Sequence, residues 1–272
     1  MAVTGTGTQQ DPWIITTYAE LVDKAADEGY IKVGNNINII DEYPNGDMPP
    51  LLIVNSDIDG DGKIISNWYY DSADWCIEST DSSDTTSCIH DLIIRNIYIT
   101  DSANGFVKRA EDNGDRPFFV GCDISGTSFV PLSTDSSQII RFKDCSINCN
   151  LKTNKPFGQY GGYFDNCYVI LESTFTGNFF LDLWGKTGKD SYFVMNLPNI
   201  TRVDAYNYGF DNCVLDVTSN AAFGVGGGSS AVSIINTSHA PNCTPDGTNT
   251  KGVTDANWLD VSYLSSIGFN AG

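Results

Sequence analysis

The chain is short of positive charge, of histidine and of long apolar runs. Fifteen Lys and Arg stand against 34 Asp and Glu, a formal charge of −19. Such a surface excludes the basic face that nucleic acid requires and is repelled by anionic membranes. It favours solubility and discourages non-specific association. No stretch approaches the roughly 20 apolar residues of a membrane helix. The only histidines are His90 and His239. Apart from Asp91 beside His90, neither has a Cys, Asp or Glu at a spacing that marks a metal site, and both are expected in loops. No Gly-x-Ser-x-Gly elbow is present. Gly224-Val225-Gly226-Gly227-Gly228 lacks the Lys-Ser/Thr ending of a phosphate loop and reads as a return loop. The opening Met1-Ala2-Val3-Thr4-Gly5-Thr6-Gly7 has neither the basic nor the apolar region of a secretory signal. Folding in a cytoplasm is therefore the expectation.

What the chain has is a repeat. It reads bulky apolar, any residue, Asn/Asp/Gly, then Cys or another core-type residue. The instances are Ile65-Ser66-Asn67-Trp68, Ile94-Arg95-Asn96-Ile97, Phe119-Val120-Gly121-Cys122, Phe142-Lys143-Asp144-Cys145, Phe164-Asp165-Asn166-Cys167, Phe210-Asp211-Asn212-Cys213 and Ile234-Ile235-Asn236-Thr237. Successive fourth positions lie 29, 25, 23, 22, 46 and 24 residues apart. The gap of 46 is two periods of 23, so one turn has lost its signature. Periods of this size mark solenoids.

The third position explains the repeat physically. Asn, Asp and Gly enter the left-handed backbone region most cheaply. One such residue per repeat bends the chain, so the flanking apolar residue and Cys, three apart, can both point inward. Short β-prone segments follow each bend, as in Cys167-Tyr168-Val169-Ile170. The predicted unit is strand, tight corner, strand, looser return. Stacked units of about 23 residues give an all-β fold, a single-stranded parallel β-helix.

Four of the eight cysteines, Cys122, Cys145, Cys167 and Cys213, share one slot of the repeat. Side chains stacked in register about 4.8 Å apart suit a ladder of buried, reduced thiols better than disulfides. Cys76 and Cys88 flank a Ser/Thr/Asp-rich loop and could pair in an oxidising medium.

An open-ended solenoid needs caps. Thr16 to Gly29 reads as an amphipathic helix with Thr17 as N-cap, Glu20 at capping-box spacing and Gly29 as stop. Asp255 to Ile267 reads as a C-terminal helical cap, with a Pro/Gly-rich loop from His239 to Gly252 before it. The chain is thus one domain, with residues 1–50 as N-terminal cap and first strands, 51–240 as coils and 241–272 as C-terminal loop and cap.

Asp57-Ile58-Asp59-Gly60-Asp61-Gly62 matches the first half of a calcium loop, with Asp57, Asp59 and Asp61 as candidate ligands. Trp68 stands where the closing Glu belongs, and the same residues read as a turn. Paired carboxylates can hydrolyse glycosides. Asp182, within Phe179-Phe180-Leu181-Asp182-Leu183-Trp184, is the most suggestive acid, although the aromatics also read as packing of an irregular turn. Trp68-Tyr69-Tyr70 with Trp75 is either a binding rim or packing under a loop.

The bend-and-Cys repeats, together with Gly5-Thr6-Gly7-Thr8-Gln9-Gln10-Asp11-Pro12-Trp13-Ile14-Ile15 and Tyr263-Leu264-Ser265-Ser266-Ile267-Gly268-Phe269, resemble right-handed parallel β-helix proteins of the pectin-lyase-like superfamily. The likeness is to those carried by bacteriophages, and it spans nearly the whole chain. It implies a right-handed helix and, because many such proteins are trimers, a homotrimer. The catalytic signatures of the superfamily's polygalacturonase-like and pectate-lyase-like branches are absent from the sequence, and Arg116-Pro117 alone does not restore one. No catalytic residue and no cofactor is carried over. The expected function is that of a non-enzymatic virion protein: a capsid decoration, head fibre or tail-associated β-helix with other virion proteins as partners. A glycan-degrading tailspike module and a cell-surface carbohydrate-binding module, each with a host-surface glycan as partner, are the alternatives.

Overall fold

The computed structural model describes residues 3–44, 47–72, 75–79, 87–100, 105–109, 117–129, 140–151, 162–182, 188–206, 209–217, 222–225, 233–235, 238–239 and 251–252. Among these the chain is a parallel β-helix. Ten strands form one long sheet, from Trp13–Ile15 to Ser233–Ile235, and eleven form a second, from Ile37–Asn38 to Lys251–Gly252. Two three-stranded sheets make a third side. One contains Leu52–Ile53, Trp75–Ser79 and Gly105–Arg109; the other contains Gly177–Asp182, Ile200–Tyr206 and Ala222–Val225. Each rung crosses the first sheet, turns a corner, crosses the second and returns.

The register explains the repeat. One inward row of the first sheet runs Trp13, Ile31, Ile58, Ile89, Phe119, Phe142, Phe164, Gly188 and Phe210, each directly beside the next, and the backbone of Ile234 continues the register. From Ile31 onward these positions are 27, 31, 30, 23, 22, 24, 22 and 24 residues apart. The matching row of the second sheet runs Ile37, Ile65, Ile94, Ile124, Ile147, Val169, Phe193 and Leu215. The last seven of that row are all buried. β-Branched side chains suit such a pleated interior.

The turn that lost its signature is Gly188-Lys189-Asp190-Ser191. Gly188 stands where its neighbours carry Phe164 and Phe210. The space is filled from the opposite sheet. Phe193 replaces an aliphatic residue of its own row, and a Cβ placed on Gly188 would lie 3.0 Å from its ring. The ring of Phe193 sits edge-on between Phe164 at 5.6 Å and Phe210 at 5.4 Å. Core volume is conserved by exchanging the large residue between the two faces. A one-row motif cannot register that exchange.

Two corners, not one, use left-handed residues. Asp91, Gly121, Asp144, Asn166, Asp190 and Asn212, with φ between 50° and 62°, follow the first sheet. Asn67 and Asn96, at 58° and 54°, lie farther along the rung on the second sheet. The six motif instances among the described residues therefore belong to two ridges, which the sequence reading merged; Asn236 lies outside the described residues. Amide ladders run along both. Asn166 Nδ2 donates to Asp144 Oδ1 and Asn212 Nδ2 to Asp190 Oδ1, both at 2.7 Å. On the other ridge Asn96 donates to Asn67 at 3.2 Å and Asn67 to Asn38 at 2.8 Å. An Asn stacked on an Asp avoids facing two like charges at strand spacing.

The N-terminal cap is a helix, α1, of Tyr18–Ala25, with Thr17 accepting from the Glu20 N–H. The Glu20 carboxylate takes the N–H and hydroxyl of Thr16, one residue before the position a capping box uses. These bonds hold its carboxyl below the usual range against the opposing effect of burial. The helix ends at Ala25, earlier than the expected stop. Gly29 instead lies against Trp13, whose ring is 2.8 Å from where a Cβ would be. A second helix, α2 (Ile39–Glu42), was not legible in the sequence. Its Glu42 accepts from Tyr18 N at 2.6 Å and Ala19 N at 3.0 Å, closing the amino end of α1 from a distance. The C-terminal cap expected over 255–267 lies outside the described residues.

The exchange across the core makes a directional prediction. Gly188→Phe alone overfills the interior and lowers stability, and Phe193→Val alone opens a cavity. Combined, they restore the pattern of the neighbouring rungs, and the double variant should recover most of the loss. Phe193→Ala should cost about 3–5 kcal/mol. Denaturant unfolding of the four variants measures the coupling.

Candidate functional site

The outer face of the first sheet is built from the residues that alternate with the core row. Across the rungs it runs Lys32, Asp59, His90, Val120, Lys143, Asp165, Lys189 and Asp211. From Lys143 onward the charges alternate in sign, a favourable arrangement for directly opposed residues on one face. At the N-terminal end of this row the polar groups converge instead.

Asp57 and Asp59 lie on one strand and His90 on the next, with Asp57 beside Cys88 and Asp59 beside His90. The burial pattern of both strands turns Ile58 and Ile89 inward and the polar residues outward. The imidazole is enclosed by carboxylates. His90 Nδ1 is 2.9 Å from Asp91 Oδ2 and 3.8 Å from Asp59 Oδ1, while Nε2 is 3.4 Å from Asp57 Oδ1. One ligand atom from each of Asp59, His90 and Asp91 lies within 4.8 Å of the others. His90 is thus a strand residue at the centre of a cluster, where a loop residue had been expected.

The three acids of the candidate calcium loop are divided in the structure. Asp61 is at the left-handed corner with φ 48° and does not join Asp57 and Asp59. Its carboxylate turns to Lys32 Nζ at 3.2 Å and Lys63 Nζ at 3.7 Å. Lys32 first, with Lys63 adding to it, holds that carboxyl below its ordinary range. Asp59 Oδ1 accepts from the Asp61 N–H at 2.8 Å, fixing the turn. The bland reading of this segment as a corner is therefore the one its geometry follows. The sequence signal for the alternative cluster was the His90-Asp91 pair, but its third member comes from the preceding rung and has no fixed spacing.

Other candidates resolve differently. Asp182 ends the strand Gly177–Asp182, where Phe179 and Phe180 pair with Val203 and Asp204. Phe179 to Asp182 is strand rather than turn, with a register shift after Gly177, and Leu183 and Trp184 lie outside the described residues. Trp68, Tyr70 and Trp75 are buried, so they pack the interior. Tyr69 alone of that group faces outward, stacked on Tyr98 with centroids 5.4 Å apart. A second stacked pair, Tyr168 and Tyr192 at 5.3 Å, lies on the outer face of the second sheet. Tyr168 is among the most exposed large side chains described. Gly224, Val225, His239 and Lys251–Gly252 also lie in paired strands rather than in loops.

The thiol ladder takes the form the sequence suggested. Cys122, Cys145, Cys167 and Cys213 are buried in the corner, and Ser191 fills the same slot of the irregular rung. Each thiol reaches back to the carbonyl two residues earlier, at 3.4 Å in Cys122, 3.1 Å in Cys145 and 3.3 Å in Cys167 and Cys213. Hydrogen bonding with Cys145, together with burial, raises Cys122 far above the ordinary thiol range; burial and then Cys145 do the same to Cys167. Cys145, facing Cys122 and Cys167, is the first of the three to ionise. Burial pushes the Cys213 thiol up to about 12. Cys76 and Cys88 are not bonded to each other; all seven described cysteines are free of disulfides, and Cys76 and Cys149 are also buried. Buried in this way, these six thiols are out of reach of reagents in solution. In a thiol titration, at least the six buried cysteines should react only after denaturation; rapid reaction of any of the six in native protein would contradict this packing.

No protein-family profile matches this chain, and no curated protein matches it. Among solved structures, a crystal structure from Bacteroides ovatus described as a candidate immunoglobulin A1 protease aligns with 96% of this chain and 89% of its own. Identity is 14% and the TM-score 0.49.

Proposed function

We propose that this chain is a non-enzymatic structural protein of a bacteriophage particle, a capsid decoration, head fibre or tail-associated rod. It acts by presenting its outer faces to other virion proteins or to the host surface. The observation that carries this reading is the unbroken register from Trp13 to Ile234. A stack in which each rung is hydrogen-bonded to the next resists bending and sets a fixed separation between its ends, as a spacer or fibre requires. The sequence resemblance to phage-borne β-helices supplies the setting, and the charge of −19 suits a surface that must stay soluble at high local concentration.

One observation favours a second reading, as a glycan-binding module. The stacked Tyr168 and Tyr192 share an outward face with Glu172 and Asn196, the Ile170–Val194 pair lying between, and a face that carries both aromatic rings and hydrogen-bonding groups suits sugars. Two measurements separate the readings. Mass spectrometry and electron microscopy of purified particles should find this chain at a defined place on the virion. Absence from the particle removes the structural reading. Release of reducing sugar from host polysaccharide would replace it with an enzymatic one, whereas retention on polysaccharide lost in Tyr168→Ala would support the glycan-binding module.

A further inference from the structure

We infer that Asp59, His90 and Asp91 form a binding site for a divalent transition-metal ion of the zinc class. This goes beyond the proposed structural role and does not depend on it. The ligand atoms already converge from two rungs, within 4.8 Å of one another. Imidazole with carboxylates is a donor set that suits zinc and its neighbours. Calcium instead needs six to eight oxygens, and Asp61, the acid that would add to the count, is held by Lys32 and Lys63.

Two further observations point the same way. The first is the far side of the ring. Metal-binding histidines usually direct their second nitrogen at a carboxylate, which fixes the tautomer and raises the basicity of the first. His90 Nε2 faces Asp57 Oδ1 at 3.4 Å, and that oxygen is shielded from solvent. With Nε2 turned to Asp57, Nδ1 is the ring nitrogen that faces Asp59 and Asp91. The second is the corner ladder. Asp144 and Asp190 each receive a side-chain amide from the next rung. The residue in that place above Asp91 is Gly121, where a Cβ would lie 2.8 Å from Asp91 Oδ1. A glycine supplies no amide and leaves room for the carboxylate, whose other oxygen meets His90 Nδ1 at 2.9 Å.

The electrostatics agree. Three carboxylates surround one imidazole, which carries at most one positive charge. A dication neutralises the excess, and on binding it displaces any proton from Nδ1. His90, Asp59 and Asp91 then supply three donors, and water completes the shell.

The test uses the full chain, stripped with chelator and kept reduced, titrated with zinc chloride in buffers of different ionisation enthalpy. Binding of one equivalent is expected. Cobalt(II) in place of zinc should give a visible d–d band. Saturating zinc should raise the melting temperature by about 2–4 °C. His90→Ala should weaken zinc at least about tenfold, and Asp59→Asn should weaken it as well. Cys88→Ser and His239→Ala should bind like the parent. If His90→Ala lowers the melting temperature of the metal-free protein, His90→Gln and Asp91→Asn carry the comparison. The inference is overturned if zinc neither binds nor stabilises the parent, if the His90 variants bind as tightly as the parent, or if Cys88→Ser abolishes binding. It is also overturned if calcium stabilises the protein as strongly as zinc.

Discussion

A column of aromatic rings runs up the middle of this protein, and the rest of the structure is arranged around it. Tyr18 of the cap meets Trp68, Trp68 meets Phe106, and Phe106 meets Phe119. From Phe119 the column continues through Phe142, Phe164 and Phe193 to Phe210. Neighbouring centroids are 5.1 to 6.3 Å apart. Each contact is worth about 0.5–1.5 kcal/mol beyond the area it buries. Their larger effect is on register. A ring seated on another ring resists a one-residue slip, which would send every inward side chain to solvent. The left-handed corners serve the same end by letting the chain turn without removing either flanking residue from the interior.

The column also explains how cap and coils form one unit. Tyr18 belongs to α1, but it is fully buried and donates its hydroxyl to the Pro50 carbonyl at 2.8 Å. The helix is therefore held to the solenoid by a core residue, and its amino end is closed by Glu42 from α2. Burial of the Tyr18 ring raises its phenol far above the usual range, so it stays neutral. An open end of the stack is in this way covered by groups that are themselves satisfied.

The architecture was legible in the sequence because the period, the corner residues and the thiol slot are all local. Phe142 to Cys145 and Phe164 to Cys167 state the rung in four letters. Compensation across the core was not legible: Gly188 makes sense only beside Phe193, which lies on another face. The two corner ridges were merged because Asn67 and Asn96 share letters with Asp144 and Asn166 while lying on a different side. Ile89-His90-Asp91-Leu92 fits the same pattern and would have placed His90 in a strand. The carboxylate cluster depends on which residues of successive rungs share a register, and the long excursions before Ile89 and Phe119 hide that from any fixed spacing. Asp61 misled because composition alone does not reveal that Lys32 and Lys63 hold its carboxylate.

From Phe119 onward the rungs are close to interchangeable. Phe119, Phe142 and Phe164 are stacked in one column with nearly parallel planes. Excising the 22 residues from Phe142 to Tyr163 would seat Phe164 directly on Phe119, leaving the interior matched, while Asn166 would lose its bond to Asp144. Each rung adds one strand spacing, about 4.8 Å. The molecule is therefore a graduated measure, and duplication or loss of a whole division changes its reach in fixed increments without redesigning what lies inside.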